Sequence, residues 1–242
     1  MKKGDRRREE VIETAERLFY SRGYEKTSVQ DILDEMHFSK GGFYHHFESK
    51  LQLLEAICEM RTHEICEQAK KQAEGNFSKA SERLNAVLSH SALWNAASPG
   101  FVSLLIGVAY REDGALMREK MKNCQLQGML PLVTEIFWLG CKSGEFYSPD
   151  PSETASVVLR LYMQFTDEIA FLLASDANET EMLERMIHKL WVYRGALERI
   201  LVAPLGSLVL FDSSELTALV RKILTDRRMH PVAAPMALER AE

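Results

Sequence analysis

The sequence has little of what metal, redox or secreted chemistry requires. Its four cysteines, Cys58, Cys66, Cys124 and Cys141, are widely spaced over 242 residues. None forms the C-x2-C pair of a zinc or dithiol centre, so they read as buried or idle thiols. His63 and Cys66 can share a helix face, but two candidate ligands do not make a metal site. No apolar run approaches the roughly 18 to 20 residues of a membrane span. The N-terminal stretch MKKGDRRREE turns from basic to acidic without the apolar core of a secretory signal, so the expected location is the cytoplasm, with no membrane partner. Neither sign of charge dominates: 30 Lys and Arg stand against 35 Asp and Glu, a net charge of −5. That argues against a coat for nonspecific nucleic-acid binding and leaves room for a local basic patch. No G-x-S-x-G, Walker or H-E-x-x-H motif and no Glu/His cluster at di-metal spacing occurs, so no catalytic residue, metal or cofactor is assigned and an enzyme is not expected.

Proline is scarce too, at 7 residues, and all but Pro131 stand where helical patterns stop. What remains is apolar periodicity, and it is helical throughout. Val11, Ile12, Ala15, Leu18 and Phe19 share one face of a helix over about 7–22, closed by Gly23. After Ser28, a plausible N-cap, Val29, Ile32, Leu33 and Met36 give about two further turns. Ser39 can cap a third helix over about 40–47, and Ser49 with Gln52 has the form of a capping box opening a fourth over about 49–74. Further helices are expected over about 78–97, 101–112, 114–143, 152–176, 179–202 and 212–228. The chain is therefore all-α. It divides into an N-terminal three-helix unit over about 1–50, a larger helical domain over about 51–228 and a frayed tail over about 229–242.

Two short helices joined by a tight turn and buttressed by a first helix have the form of a helix-turn-helix, whose second helix enters the DNA major groove. Lys40 stands at the N-terminal turn of that helix. Gly41 and Gly42 would let backbone approach DNA closely, at a cost of about 1 kcal/mol each relative to alanine. Tyr44, His45 and His46 add hydrogen-bonding groups, and Lys50 opens the next helix where phosphate could meet its ammonium. Taken singly, Tyr44 and Phe47 can equally be core and His45-His46 a solvated helix end. As a set, SKGGFYHHFESK is far more specific.

Residues 7–57, above all TSVQDILDEMHFSKGGFYHHFESKLQLLEAI, resemble the DNA-binding domain of TetR-family transcriptional regulators. The family pattern of small residue, aromatic, Tyr, x, His, aromatic, x, x, Lys is met by Gly42 to Lys50. The resemblance implies base contacts near Gln30, Lys40, Gly41 and Gly42, and phosphate contacts from Ser28, Tyr44, His46 and Lys50, with His45 in either role. Leu33 and Met36 stand where the family usually has alanine, and His37 where it has glycine. A repacked first helix and a non-glycine residue at positive φ are therefore expected. Gly140 to Phe146 is similar to the family's G-x-x-x-G-E-F turn after its seventh helix. Lys2, Lys3, Arg6, Arg7 and Arg8 against Asp5 form a basic arm that either contacts phosphate or is a solvated tail.

The resemblance further implies a ligand pocket among helices four to eight, for which His90, Trp94, Tyr110, Phe137, Tyr162 and Phe165 are the expected lining. Pro131 is expected to kink the helix beside it. It also implies a homodimer through the eighth and ninth helices. Their apolar faces carry Val158, Leu161, Tyr162, Phe165, Ile169 and Leu172 on one, and Met182, Met186, Leu190, Tyr193, Leu197 and Ile200 on the other. The leading expectation is a ligand-responsive repressor that binds a palindromic double-stranded DNA operator and is released by a small, largely apolar effector. The alternative is a small-molecule binding or buffering protein with a vestigial head, suggested by the acids Asp31, Asp34, Glu35 and Glu48 near the motif. The stretch 203–242 has no role assigned.

Overall fold

A computed structural model describes residues 3–92, 99–110, 114–211 and 213–229. Among them the chain forms ten helices and no strand: α1 (Lys3–Arg22), α2 (Val29–Met36), α3 (Lys40–His46), α4 (Lys50–Ala73), α5 (Ala80–Ser91), α6 (Pro99–Val108), α7 (Ala115–Ser143), α8 (Pro151–Ala174), α9 (Glu179–Leu201) and α10 (Ser213–Met229). None of these helices is long and apolar enough to cross a membrane.

The order matches the sequence reading, and the boundaries differ for local reasons. Helix α1 starts earlier because the basic cluster is its opening turns, with Arg6 and Arg7 reaching Glu10 at 3.3 and 2.6 Å. Pro99 and Pro151 begin helices instead of ending them, since a first-turn residue needs no N–H donor. Asp150 completes the second of these starts by accepting from the Ser152 and Glu153 N–H groups at 2.9 and 3.1 Å. Helix α5 ends at Ser91, short of the expected 97, and α7 continues through Pro131 to Ser143.

Two apolar cores organise the chain. The first gathers Leu18, Phe19, Ile32, Phe43, Phe47, Leu53 and Ile57 from α1 to α4, together with Phe101, Leu104 and Leu105 of α6 and Met117 and Met121 of α7. Each large side chain so buried contributes about 1.5–3 kcal/mol. Leu33 is one of them, and Met36 packs at the edge. The second core joins the later half of α4 to α5, α7, α8, α9 and α10.

The turn after α7 fastens three helices. Gly144 takes the left-handed conformation at φ 77°. The Glu145 carboxylate accepts from the Ala80 and Ser81 N–H groups at 2.6 and 3.1 Å, and from the Ser81 hydroxyl, capping α5 from a distance in sequence. Tyr147 N–H donates to Leu201 O at 3.1 Å. Phe146 lies over Gly140, where an added Cβ would meet its ring at 2.3 Å. Phe146 is buried and cannot swing away, so Gly140→Ala is expected to cost about 1–3 kcal/mol of stability, measurable by chemical denaturation.

The stretch left without a role is docked. Asn85 donates to Ser207 O at 2.9 Å and accepts from Val209 N–H at 2.8 Å, and buried Glu198 accepts from the N–H groups of Gly206 and Leu208. Helix α10 then lays Leu216, Val220 and Ile223 into the second core beside α9, and Arg221 meets Glu179 at 2.8 Å. The tail from His230 onward lies outside the described residues.

Candidate nucleic-acid interface

Three serines start three successive helices. The Ser28 hydroxyl accepts from Asp31 N–H at 3.1 Å and donates to the Asp31 carboxylate at 2.5 Å, while Ser28 N–H meets the same oxygen at 2.7 Å. These bonds, the hydroxyl's first, hold the Asp31 carboxyl below its usual range. Ser39 and Ser49 accept from Gly42 and Gln52 N–H, each at 3.1 Å. The expected capping box at α4 is shifted by one residue, since Gln52 Oε1 accepts from Glu48 N–H at 2.6 Å. Between α2 and α3, His37 adopts φ 49° and ψ 45°, and Phe38 N–H closes on Leu33 O at 2.9 Å. Histidine thus fills a left-handed position that glycine would fill without steric cost.

Helix α3 turns two sides to different tasks. Phe43 and Phe47 are buried in the head core, while Lys40, Gly41, Tyr44 and His45 are exposed and His46 is half-buried. Tyr44 stacks edge-on against Phe43 with ring centroids at 5.3 Å, and the residue stays 48% exposed. The two glycines differ. Gly41 faces open space, whereas a Cβ on Gly42 would meet the Phe38 ring at 2.6 Å. Packing within the head therefore explains Gly42 without appeal to DNA. The basic arm leans on residues that flank the same helix, with Arg7 and Arg8 stacked 5.8 and 5.2 Å from the Phe38 and Phe47 rings.

Other expected contacts already have partners. Gln30 donates to Asp34 at 2.6 Å. The Lys50 ammonium donates to the carbonyls of Tyr24 and Thr27 at 3.0 and 3.1 Å and sits 4.1 Å from the Tyr24 ring centroid. It closes the α1–α2 connection, a use that spacing along the sequence does not reveal. Three of the four acids behind the alternative reading are also engaged, while Glu48 is exposed: Asp31 caps α2, Asp34 receives Gln30, and Glu35 meets Arg17 at 2.9 Å.

The residues expected to line a ligand pocket are divided. Phe137, Tyr162 and Phe165 are fully buried in the second core, and the Tyr162 hydroxyl donates to Leu88 O. His90 is exposed on α5, its ring against Ala86 O at 2.8 Å. Tyr110 packs edge-on to Phe171 at 5.1 Å, and burial together with the Asp167 carboxylate raises the pKa of its hydroxyl well above the usual value. Trp94 lies outside the described residues. The faces expected to meet a second copy also turn inward: Val158, Tyr162, Phe165, Ile169 and Leu172 on α8, and Met182, Met186 and Leu197 on α9, are buried in the chain's own core. A wide apolar face gives no indication of which sector meets the chain itself.

Burial pushes the Cys58 thiol up to about 12 and the Cys66 thiol to about 11, so both stay protonated at neutral pH. His63 is exposed while Cys66 is buried against α7, and among the described residues no group of three His, Cys, Asp or Glu is placed to hold a metal.

Residues 11–57 match the family described as bacterial regulatory proteins, tetR family. Over 53 residues the chain is 45% identical to YerO of Bacillus subtilis, an uncharacterized HTH-type transcriptional regulator, a stretch covering 22% of this chain and 18% of that one. The first curated relatives are matched over only 18%, 26% and 34% of their own lengths. In fold, the chain is similar to a TetR-family transcriptional regulator, ECA1819 of Pectobacterium atrosepticum, with TM-score 0.62 and 19% identity, covering 84% of this chain and all of that one. It is also similar to FadR of Bacillus subtilis, solved with stearoyl-CoA, at TM-score 0.53 and 17% identity, covering 81% of this chain and 98% of that one.

Proposed function

We propose that this chain, whose residues 11–57 match the tetR family of bacterial regulatory proteins, is a homodimeric repressor that binds a palindromic DNA operator and is released by a small, largely apolar effector. The observation that carries this reading is the two-sided α3, with Phe43 and Phe47 anchored in the head and Lys40, Gly41, Tyr44 and His45 free to enter a major groove. Engagement of Asp31, Asp34 and Glu35 within the head favours it over a vestigial head in a buffering protein. A dimer bridging half-sites about 34–36 Å apart occludes the duplex between them, which is the basis for repression.

The second copy would sit on apolar residues that this chain leaves outside its own core. Val157 on α8 and Ile187 and Trp191 on α9 are 53%, 51% and 66% exposed, with Leu161, Leu183 and Leu190 partly covered beside them. Their positions repeat at helical spacing along one side of each helix. The fold shared with a FadR solved with stearoyl-CoA supports an apolar effector. Entry among Phe137, Tyr162 and Phe165 would displace buried packing, so a bound body differs from this one. Release then requires only that the effector bind the two poses unequally.

Selection of bound duplexes from a random library, followed by titration at several salt concentrations, tests the reading. A palindrome bound by two chains, with affinity falling steeply as salt rises, is the expected result. Folded chain that enriches no sequence would overturn it.

The carbonyl bonds of Lys50 make a separate expectation. Lys50→Met should weaken binding by loosening the loop that carries Ser28, yet leave the slope of log affinity against log salt unchanged. A phosphate contact would instead reduce that slope by about 0.9 for each head.

A further inference from the structure

Between head and body α4 passes from one core to the other. Ile57, Cys58 and Ile65 face the head core, and Cys66 and Ala69 face the body. Arg61 lies at that passage. Its Nε and Nη2 donate to the two oxygens of Glu16, in the middle of α1, each at 2.6 Å, and its Nη1 donates to Glu64 at 2.7 Å. Tyr20, one turn further along α1, donates its hydroxyl to the same Glu16 carboxylate. Glu16 is only 5% exposed, so a charged group has been largely taken out of water, with Arg61 and Tyr20 as its partners.

Burying a charge pair is weak evidence for stability, because well-packed apolar residues hold helices together as firmly. What a two-pronged guanidinium–carboxylate contact adds is direction: its two parallel bonds fix the relative rotation of the groups that bear them. Apolar packing of α1 on α4 alone resists separation but tolerates rolling and sliding. We infer that Glu16 and Arg61 form a strut that sets the angle of the reading head on α4, and so the separation of the two recognition helices in the dimer. They act as positioning residues for operator binding, without touching DNA. This rests on the dimeric operator-binding reading above.

The strut is tested with a series of operators whose half-site spacing is changed one base pair at a time. Each added pair moves one half-site about 3.4 Å along and a tenth of a turn around the duplex. The native chain should favour its selected spacing over the next by at least about tenfold, and the paired substitution Glu16→Gln with Arg61→Met should lower that preference below about threefold. Removing both charges together leaves no unpaired buried ion. Preference for the half-site sequence should not change, whereas loss of folded protein alone would lower every affinity in proportion. Arg61→Lys keeps a charge beside Glu16 and loses the two-pronged geometry, and it should relax the spacing in the same direction. A paired variant that folds and keeps the native spacing preference overturns the inference, as does Arg61→Lys with native preference should the paired variant not fold. A native chain that selects no palindrome overturns the operator-binding reading itself, and the strut with it.

Discussion

Lys40→Ala combined with Tyr44→Phe is expected to lower affinity for the selected operator at least about a hundredfold, because both heads of the proposed dimer lose contacts worth about 1–3 kcal/mol apiece. Lys40 and Tyr44 are exposed, and neither residue belongs to the head core. Phenylalanine preserves the edge-on contact with Phe43. Stability should therefore stay within about 0.5 kcal/mol of the native value, as for other surface changes. Fluorescence anisotropy with labelled operator, alongside thermal unfolding, separates the two quantities. Unchanged affinity would remove α3 as the reading element and return weight to a buffering protein with an idle head.

The second large effect concerns the partner face. Ile187→Glu with Trp191→Glu places like charges where two copies are proposed to meet, so the chain should sediment as a monomer. Both positions are exposed in the single chain, and its own fold should persist. A lone head binds one half-site, and losing the tethered second event should weaken operator affinity by about 10²–10⁴-fold. A dimer that survives these charges would place the interface elsewhere, with Trp138 and Leu139 of α7 the next exposed apolar residues to examine.

Much of the helical order was legible because each element carries its own evidence. Ser28, Ser39 and Ser49 announce three starts, and the apolar spacing of Val11 to Phe19 or Ile32 to Met36 marks a face. The positive φ at His37 was implied by the resemblance, which sets this residue where the family has glycine. What escaped were contacts between residues far apart in sequence. Nothing near Lys50 points to the carbonyls of Tyr24 and Thr27, and nothing near Glu16 points to Arg61, 45 positions away. Gly42 looked suited to DNA because its clash with Phe38 exists only after the turn has folded. Which sector of α8 and α9 turns inward was not legible for a related reason, since a broad apolar surface is satisfied equally by the chain's own body and by a second copy. Pro99 and Pro151 show that the same residue that stops one helix can start the next.

The membership of α6 in the first core limits how this chain can be recombined. Phe101, Leu104 and Leu105 complete a cluster whose other members come from the first four helices and the start of α7. Cutting the chain after α4 would strip that cluster of one wall and leave its leucines and phenylalanines bare to water. The reading head is thus not a cassette that can be lifted out and joined to a foreign body at a convenient linker. A working chimera would have to carry α6 with it, or supply from its new host a helix of matching shape, and that requirement ties inheritance of the first four helices to that of α6.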